Sequence, residues 1–281
     1  MKIGVVGWGF VGKAVEAGFQ NPGNEIIIAD TKIGYTVEDM VRDHKDLGVV
    51  FVCTPTPMLE GGFVDIRITE NVLQVLSELN NTIIALKSTV TPNHVSRWEA
   101  LYDNFVYNPE FLTEANAVND FLNPPMHVFG GNKDTCNELH FIYQEYSNCS
   151  WAPVHFMTAS EASFVKYTIN SFLSLKVAFF NQLSDLIKSS EANYDTVIEA
   201  IKNDERIGTT HMSVPGHDGR RGFGSACFAK DVPAIIRFSQ SQNKDLTVLK
   251  EAWNYNVDVR NSYKEPLPRE KEQHITFNKI W

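Results

Sequence analysis

What this chain has little of narrows it first. Nothing in its 281 residues forms an apolar run of the roughly 20 residues that cross a bilayer, so no membrane association is expected. The opening Met-Lys-Ile-Gly-Val-Val-Gly reads as a strand and a turn, not as a secretory leader. Positive charge is in deficit: 25 Lys and Arg against 34 Asp and Glu give a net charge of −9. That argues against nucleic acid as a partner, because binding phosphates along a strand needs a basic surface, but it leaves room for a local pocket for an anionic small molecule. Cysteine is sparse. Cys53, Cys136, Cys149 and Cys227 show no CxxC spacing, which excludes a disulfide framework and leads us to expect reduced thiols in a cytoplasmic setting. The histidines are scattered without an HxxxH pattern, so no metal is expected. Internal repeats and low-complexity segments are lacking as well.

The length suffices for two domains, each with its own core. Residues 1–152 alternate short apolar strands with helical stretches. Strands are expected at 2–6, 25–29, 49–53, 82–86 and 105–107, with a strand end at 128–131. Helices are expected from the first turn to Phe19, from Thr36 to His44 and from Thr69 to Leu79. That alternation predicts an α/β fold built on a doubly wound parallel sheet. The texture changes after Pro153. From Thr158 the pattern is helical for about thirty residues, with Thr158 and Glu161 at capping-box spacing. Further helices are expected at Tyr194–Lys202, Lys230–Gln242 and Leu246–Arg260, with a glycine-rich loop from Gly208 to Gly224. Residues 153–281 therefore read as an all-helical second domain, with a polar tail from Lys264 that is either loose or docked.

Between the first strand and first helix lies GWGFVG. Gly7 permits the tight turn, Gly9 lets backbone approach a pyrophosphate, and Gly12 permits close helix–strand packing; the helix N-terminus supplies free N–H groups. GxGxxG alone is weak, and a glycine turn in some other α/β protein is the bland alternative. Here a strand precedes it, a helix follows, and Asp30 ends the second strand, where its carboxylate would accept from the ribose hydroxyls and repel a 2′-phosphate. A Rossmann-like domain that takes NAD in preference to NADP is the expectation.

Three further groups carry chemistry. Lys166 and Asn170 lie one helical turn apart, suited to stabilising charge on a substrate oxygen; a snorkelling lysine beside a structural asparagine is the alternative. Cys227 follows Gly222-Phe223-Gly224, a turn able to present a thiol, and Lys230 or the start of the next helix would favour the thiolate. The other cysteines read as small buried hydrophobes. Glu110, after Pro109, is expected to leave the carboxyl edge of the sheet as a general base for water, with Glu114 one turn on along the same face; two solvated carboxylates are the alternative.

Taken together, MKIGVVGWGFVG, VVFVCTPTPM followed by GGFVD, KSTVTP, NPEFLTEANAVNDFLNP, ASEASFVKYTINSFLSLKVAFFNQ, DERIG and GFGSACFAKD resemble, in order, the motifs of the UDP-glucose/GDP-mannose dehydrogenase family, from Met1 to about Asn261. The resemblance implies oxidation of a sugar C6 alcohol to a uronate with two NAD+. It implies that Asp231 and Lys166 handle the first proton transfer, that Lys166 and Asn170 hold the oxyanion, and that Cys227 forms a thiohemiacetal and then a thioester. Glu110 would activate water for its hydrolysis, with Thr89 assisting. It places Glu114, Phe111, Leu112 and Gly224 near the substrate, and Arg206 toward the substrate of a neighbouring subunit, in a homodimer built on the long helix. Gly7, Gly9, Phe10, Val11, Gly12, Asp30, Thr54, Pro55, Thr56 and Thr89 would hold NAD, and a nucleotide sugar, UDP-glucose first, would be the substrate. The chain also departs from the family's pattern. It stops before the usual third domain, a βα piece is missing between Asp30 and Val49, GFGGSCFPKD reads GFGSACFAKD, and Gly216–Arg221 is inserted.

Two other functions stay open. One is a β-hydroxyacid dehydrogenase, which pairs a Rossmann domain with a helical one and uses Lys and Asn at the same spacing for a single oxidation, but needs neither Cys227 nor Glu110. The other is a non-catalytic NAD-binding protein.

Overall fold

The chain's apolar runs become a seven-stranded sheet because several of them are apolar at every position, as buried parallel strands require. The computed structural model describes residues 1–280. Strands β1 (Lys2–Val6), β2 (Glu25–Ala29), β3 (Val49–Val52), β4 (Ile83–Leu86), β5 (Phe105–Tyr107), β6 (His127–Gly131) and β7 (Val154–Met157) lie in the order 2-1-3-4-5-6-7. In β3 and β4 all four residues are buried. β1 to β5 run parallel; β6 is antiparallel to β5, and β7 is parallel to β6.

Helices α1 (Phe10–Phe19), α2 (Val37–Asp43), α3 (Arg67–Leu76), α4 (Pro92–Leu101), α5 (Ala117–Leu122) and α6 (Lys133–Tyr146) cover the sheet. Thr36 and Asp39 close a capping box on α2, and the Asn132 side chain accepts from Asp134 N–H at the start of α6. One apolar layer centres on Val50, Val52, Leu73, Leu76 and Trp98. The other centres on Val5, Phe19, Phe51, Phe129 and Tyr143. The strand order reverses between β1 and β3, and in open α/β sheets the carboxyl ends of the strands at that reversal form the ligand crevice. The Rossmann-like doubly wound sheet is therefore present, with four additions that were not foreseen: β7, α4, α5 and α6.

The remaining helices are α7 (Ala159–Ser189), α8 (Tyr194–Ile201), α9 (Phe228–Ser241), α10 (Thr247–Arg260) and α11 (Pro268–Glu272). The chain divides into two compact units: Met1–Thr56 with Asp65–Lys166, and Pro57–Val64 with Tyr167–Trp281. The division falls inside α7, not at 152/153, because β7 is hydrogen-bonded into the sheet. The excursion Pro57–Val64 joins the second unit through concrete bonds: Met58 N–H donates to Gln273 C=O, and Arg237 Nε donates to Gly61 C=O at 2.6 Å. The second unit's core gathers Tyr167, Phe223, Val232, Ile236, Trp253 and Val257. Its tail is docked: Trp253 Nε1 donates to Asn278 C=O, and Arg237 Nη2 to Ile280 C=O. Among the described residues no helix is long and apolar enough to cross a membrane, and no metal-binding cluster occurs.

Candidate functional site

The first unit presents a nucleotide cleft. Gly7 follows β1 at φ +91°, where a side chain would be strained, and an added Cβ would lie 2.6 Å from the Cys53 carbonyl oxygen. Gly9 caps α1 with no side-chain bond, so the first N–H groups of the helix are left for a ligand, and nothing lies within 4 Å of where its Cβ would be. Phe10 and Val11 form the first turn behind it. Asp30, at the tip of β2, accepts from Trp8 N–H at 2.7 Å and from Lys32 N–H at 2.8 Å. A cleft of about 620 Å³ is lined by Gly7, Asp30, Thr54, Pro55, Arg67 and Asn71, among others. Arg67, the cation at its rim, is held in a two-point pair by Asp65. An uncapped helix N-terminus, a glycine with open space in front of it and a carboxylate at the adenosine end fit a dinucleotide without a 2′-phosphate. Thr54 and Thr56 are buried; Thr56 Oγ1 donates to Thr89 C=O, and Thr54 Oγ1 lies 2.8 Å from Thr69 Oγ1.

The same unit holds a buried ion pair. Lys166 Nζ donates to Glu110 Oε1 at 3.0 Å and to Glu110 C=O at 2.6 Å, and the two side chains are 4 % and 6 % exposed. Glu110 Oε2 accepts from Leu112 N–H at 2.7 Å, and Lys166 Nζ stands 5.6 Å from the centre of the Phe111 ring. A carboxylate and an ammonium are thus held together out of water, an arrangement that costs desolvation. Glu114 is elsewhere. Residues 108–113 are not helical, so no helical turn carries Glu114 onto the face of Glu110; it is exposed in a one-turn helix, Glu114–Asn116. Leu112 and Phe111 line a small cavity of about 30 Å³ with Glu110, Lys87 and Tyr143.

Lys87 was passed over in the sequence, although it stands in KSTVTP, two residues before Thr89. It is 4 % exposed and donates to Asn108 Oδ1 at 3.0 Å. Burial pushes its ammonium down to about 8, and burial likewise pushes the Cys53 thiol up to about 12. The signal in the sequence was a lysine ending an apolar strand.

The second unit holds the thiol. Cys227 is the N-cap of α9, and Asp231, one turn on, donates its N–H to Cys227 C=O. The Asp231 side chain is buried; Asn170 Nδ2 donates to Oδ2 at 2.6 Å and Lys230 Nζ to Oδ1 at 2.6 Å. Lys230 is therefore engaged with Asp231. Cys227 is preceded by Gly222 at φ +72° and Ser225 at φ +62°. Asn256, also missed, clamps the loop: its Oδ1 accepts from Phe223 N–H at 2.7 Å and its Nδ2 donates to Phe223 C=O at 2.8 Å. Arg206 is exposed and pairs with Asp204 of its own loop.

Comparison with known proteins sets these sites in context. Residues 34–147 match the NAD binding domain of the UDP-glucose/GDP-mannose dehydrogenase family, and residues 160–258 match that family's central domain. UDP-glucose 6-dehydrogenase of Rickettsia typhi is 30 % identical over 225 residues, covering 76 % of this chain and 50 % of that protein. The chain thus spans about half the length of the curated relatives it matches. The structure of a UDP-glucose dehydrogenase from Pyrobaculum islandicum superposes with a TM-score of 0.78 at 26 % identity, over 91 % of this chain and 67 % of that one. 3-Hydroxyisobutyrate dehydrogenase of Mycobacterium tuberculosis shares the fold at a TM-score of 0.70 and 13 % identity, over 99 % of this chain and 97 % of that one.

Proposed function

The chain belongs to the UDP-glucose/GDP-mannose dehydrogenase family, and from that premise we propose that it oxidises the C6 alcohol of a nucleotide sugar, UDP-glucose first, to the uronate. NAD, when bound, supplies the hydride acceptor; the glycine turn, Asp30 and the Thr54–Thr56 turn hold it. Asp231 takes the proton of the alcohol, while the Lys166 ammonium and Asn170 carry the developing charge on its oxygen. Cys227 Sγ then adds to the aldehyde carbon as a thiohemiacetal, so that the second oxidation leaves a thioester. Glu110 deprotonates the water that hydrolyses it, with Thr89 assisting, and Phe111, Leu112 and Gly224 bound the sugar.

The observation that carries this reading is that Cys227 stands at the N-terminus of α9, one turn before the buried Asp231–Asn170 pair. A single-oxidation enzyme would need no thiol at that position. The decisive experiment measures NADH formed per product over a panel of UDP- and GDP-sugars. Two NADH per uronate is expected, and Cys227→Ser should stop the reaction at the aldehyde stage. Uronate made at an undiminished rate by that variant excludes the covalent route.

A homodimer on α7 belongs to the same proposal. Phe172, Phe179 and Leu186 recur every seven residues along α7 and are 64 %, 59 % and 65 % exposed, the stripe that a second long helix would cover. Arg206 would then reach the partner's substrate. Sedimentation should give a dimer that Phe179→Lys dissociates.

A further inference from the structure

Arg260, at the end of α10, has a side chain with 0 % exposure. Its Nη1 donates to Asp218 Oδ2 at 2.8 Å and its Nη2 to Glu270 Oε1 at 2.5 Å. Glu270 is 1 % exposed and also accepts from Leu267 N–H, which fixes the start of α11. The guanidinium carbon lies 5.4 Å from the centre of the Phe277 ring and 5.8 Å from that of Tyr263. This cluster sits directly under the thiol loop. A Cβ added to Gly224 would run into the Arg260 guanidinium and lie 2.7 Å from Glu270 Oε1. One step earlier, Arg221 N–H donates to Tyr263 OH, and Arg220 Nη1 donates to Glu265 C=O.

The three charged groups come from three separate places in the chain. Asp218 lies in the loop before the thiol turn, Arg260 ends α10, and Glu270 lies in α11. A buried ion cluster adds little net stability over an apolar packing of equal volume, because desolvation offsets the attraction. What it does supply is direction. A guanidinium fork held at two points has one orientation, and the backbone resting against it inherits that orientation.

We propose that Arg260 is a positioning residue for the thiol loop, clamped by Asp218 from the loop before it and by Glu270 from the tail, and that this clamp holds Cys227 at the N-terminus of α9. The tail is then part of the working second unit. The inference rests on the catalytic reading of Cys227, but its test does not.

The full chain is alkylated with iodoacetamide and each cysteine is followed by peptide mass spectrometry. Glu270→Gln keeps size and an acceptor but removes the charge; Arg260→Met removes the fork. Each should raise the Cys227 alkylation rate by about tenfold or more, as expected when a local clamp is released without global unfolding. Cys53 and Cys136 should react at unchanged rates, and Trp253 fluorescence should report an intact second unit. In turnover the same variants should lower kcat while leaving KM for NAD unchanged, a split that general loss of fold does not produce. A Cys227 rate that is unchanged or slower in folded Glu270→Gln overturns the proposal. Where Arg260→Met fails to fold, Glu270→Gln and Asp218→Asn decide. A wild-type chain inactive on every sugar nucleotide would count against the proposed function, whereas the alkylation rates would still decide the clamp.

Discussion

Each unit has a glycine turn that leads into a helix N-terminus, and the two turns are held by opposite means. The turn Gly7–Gly12 is shaped by backbone. Gly7 N–H donates to Ala29 C=O at 2.8 Å, and α1 packs so closely that Gly12 faces the Gly7 carbonyl with no room for a side chain. The turn Gly222–Cys227 is shaped by side chains. Asn181 Oδ1 accepts from Gly222 N–H, Asn256 grips Phe223 on both sides, and Arg260 lies under Gly224. The buried cations differ in the same way. Lys87 bonds to neutral oxygens of Asn108 and Tyr143, whereas Arg260 faces two carboxylates. A backbone-held turn carries its instructions within itself; a side-chain-held turn depends on residues dozens of positions away.

The contrast is broken most severely at Gly12. In Gly12→Ala the new methyl meets a backbone oxygen that cannot rotate away, so strand and helix must separate. We expect a loss of about 4 kcal/mol or more in the first unit, at the upper end of overpacking effects. NAD binding, followed by Trp8 fluorescence, should disappear with it. Wild-type affinity in this variant would show that the turn is not backbone-limited. The counterpart in the other turn is Asn256→Ala, which orphans one buried donor and one buried acceptor at Phe223. With water entering the space, a cost of about 2–3 kcal/mol is expected, confined to the second unit. Hydrogen exchange should rise over 222–228 and stay unchanged over β1 and α1; a uniform rise would contradict the contrast.

The same difference explains what could be read in advance. β1 to β5 and the glycine fingerprint were legible because apolar runs and GxGxxG act over a few residues. That a glycine turn leads into the helix at Cys227, and that Lys166 and Asn170 lie one turn apart on a long helix, was legible from the glycines and from helical spacing. β7 was not, since Val-His-Phe-Met is four residues long and half exposed, and only its pairing with β6 makes it a strand. Glu114 was misplaced because Pro109 keeps the segment extended, so a four-residue interval there is not a helical turn. Asn256, Arg260 and Glu270 look like ordinary surface polars of two helices until the chain returns them to the thiol loop.

Lys87 sharpens the cation half of the contrast. A buried ammonium without a carboxylate bonded to it loses its proton near 8, while the unfolded lysine keeps its own to 10.5. Between those values the unfolded state binds more protons, so stability rises with pH; below 8 the folded state bears the full cost of the charge. The gain is about 1 kcal/mol over the unit from pH 8 to 9, before the buried thiols begin to oppose it from 9 upward. Lys87→Met should abolish this rise, as read by hydrogen exchange of β3 and β4 peptides at increasing urea. Equal slopes in wild type and variant would mean that the lysine is solvated or paired in solution.

The smallest effect is expected at Ser225. It sits at φ +62° where the family's pattern has glycine, and a residue with a side chain pays about 1 kcal/mol to stand there. Glycine would remove that strain but would also enlarge the freedom of the unfolded chain, which takes back about 0.4–1 kcal/mol. The two terms nearly cancel, so Ser225→Gly should move the urea midpoint of the second unit, followed by Trp253 fluorescence, by no more than about 0.5 kcal/mol in either direction. The Cys227 alkylation rate should likewise stay within about twofold, because Asn256 and Arg260 still hold the loop on either side. A destabilisation above about 1 kcal/mol would mean that the serine hydroxyl is itself a tether. A thiol that reacts many times faster would mean that the stiffness of residue 225, and not its distant partners, shapes the turn, which would make the two glycine turns alike after all.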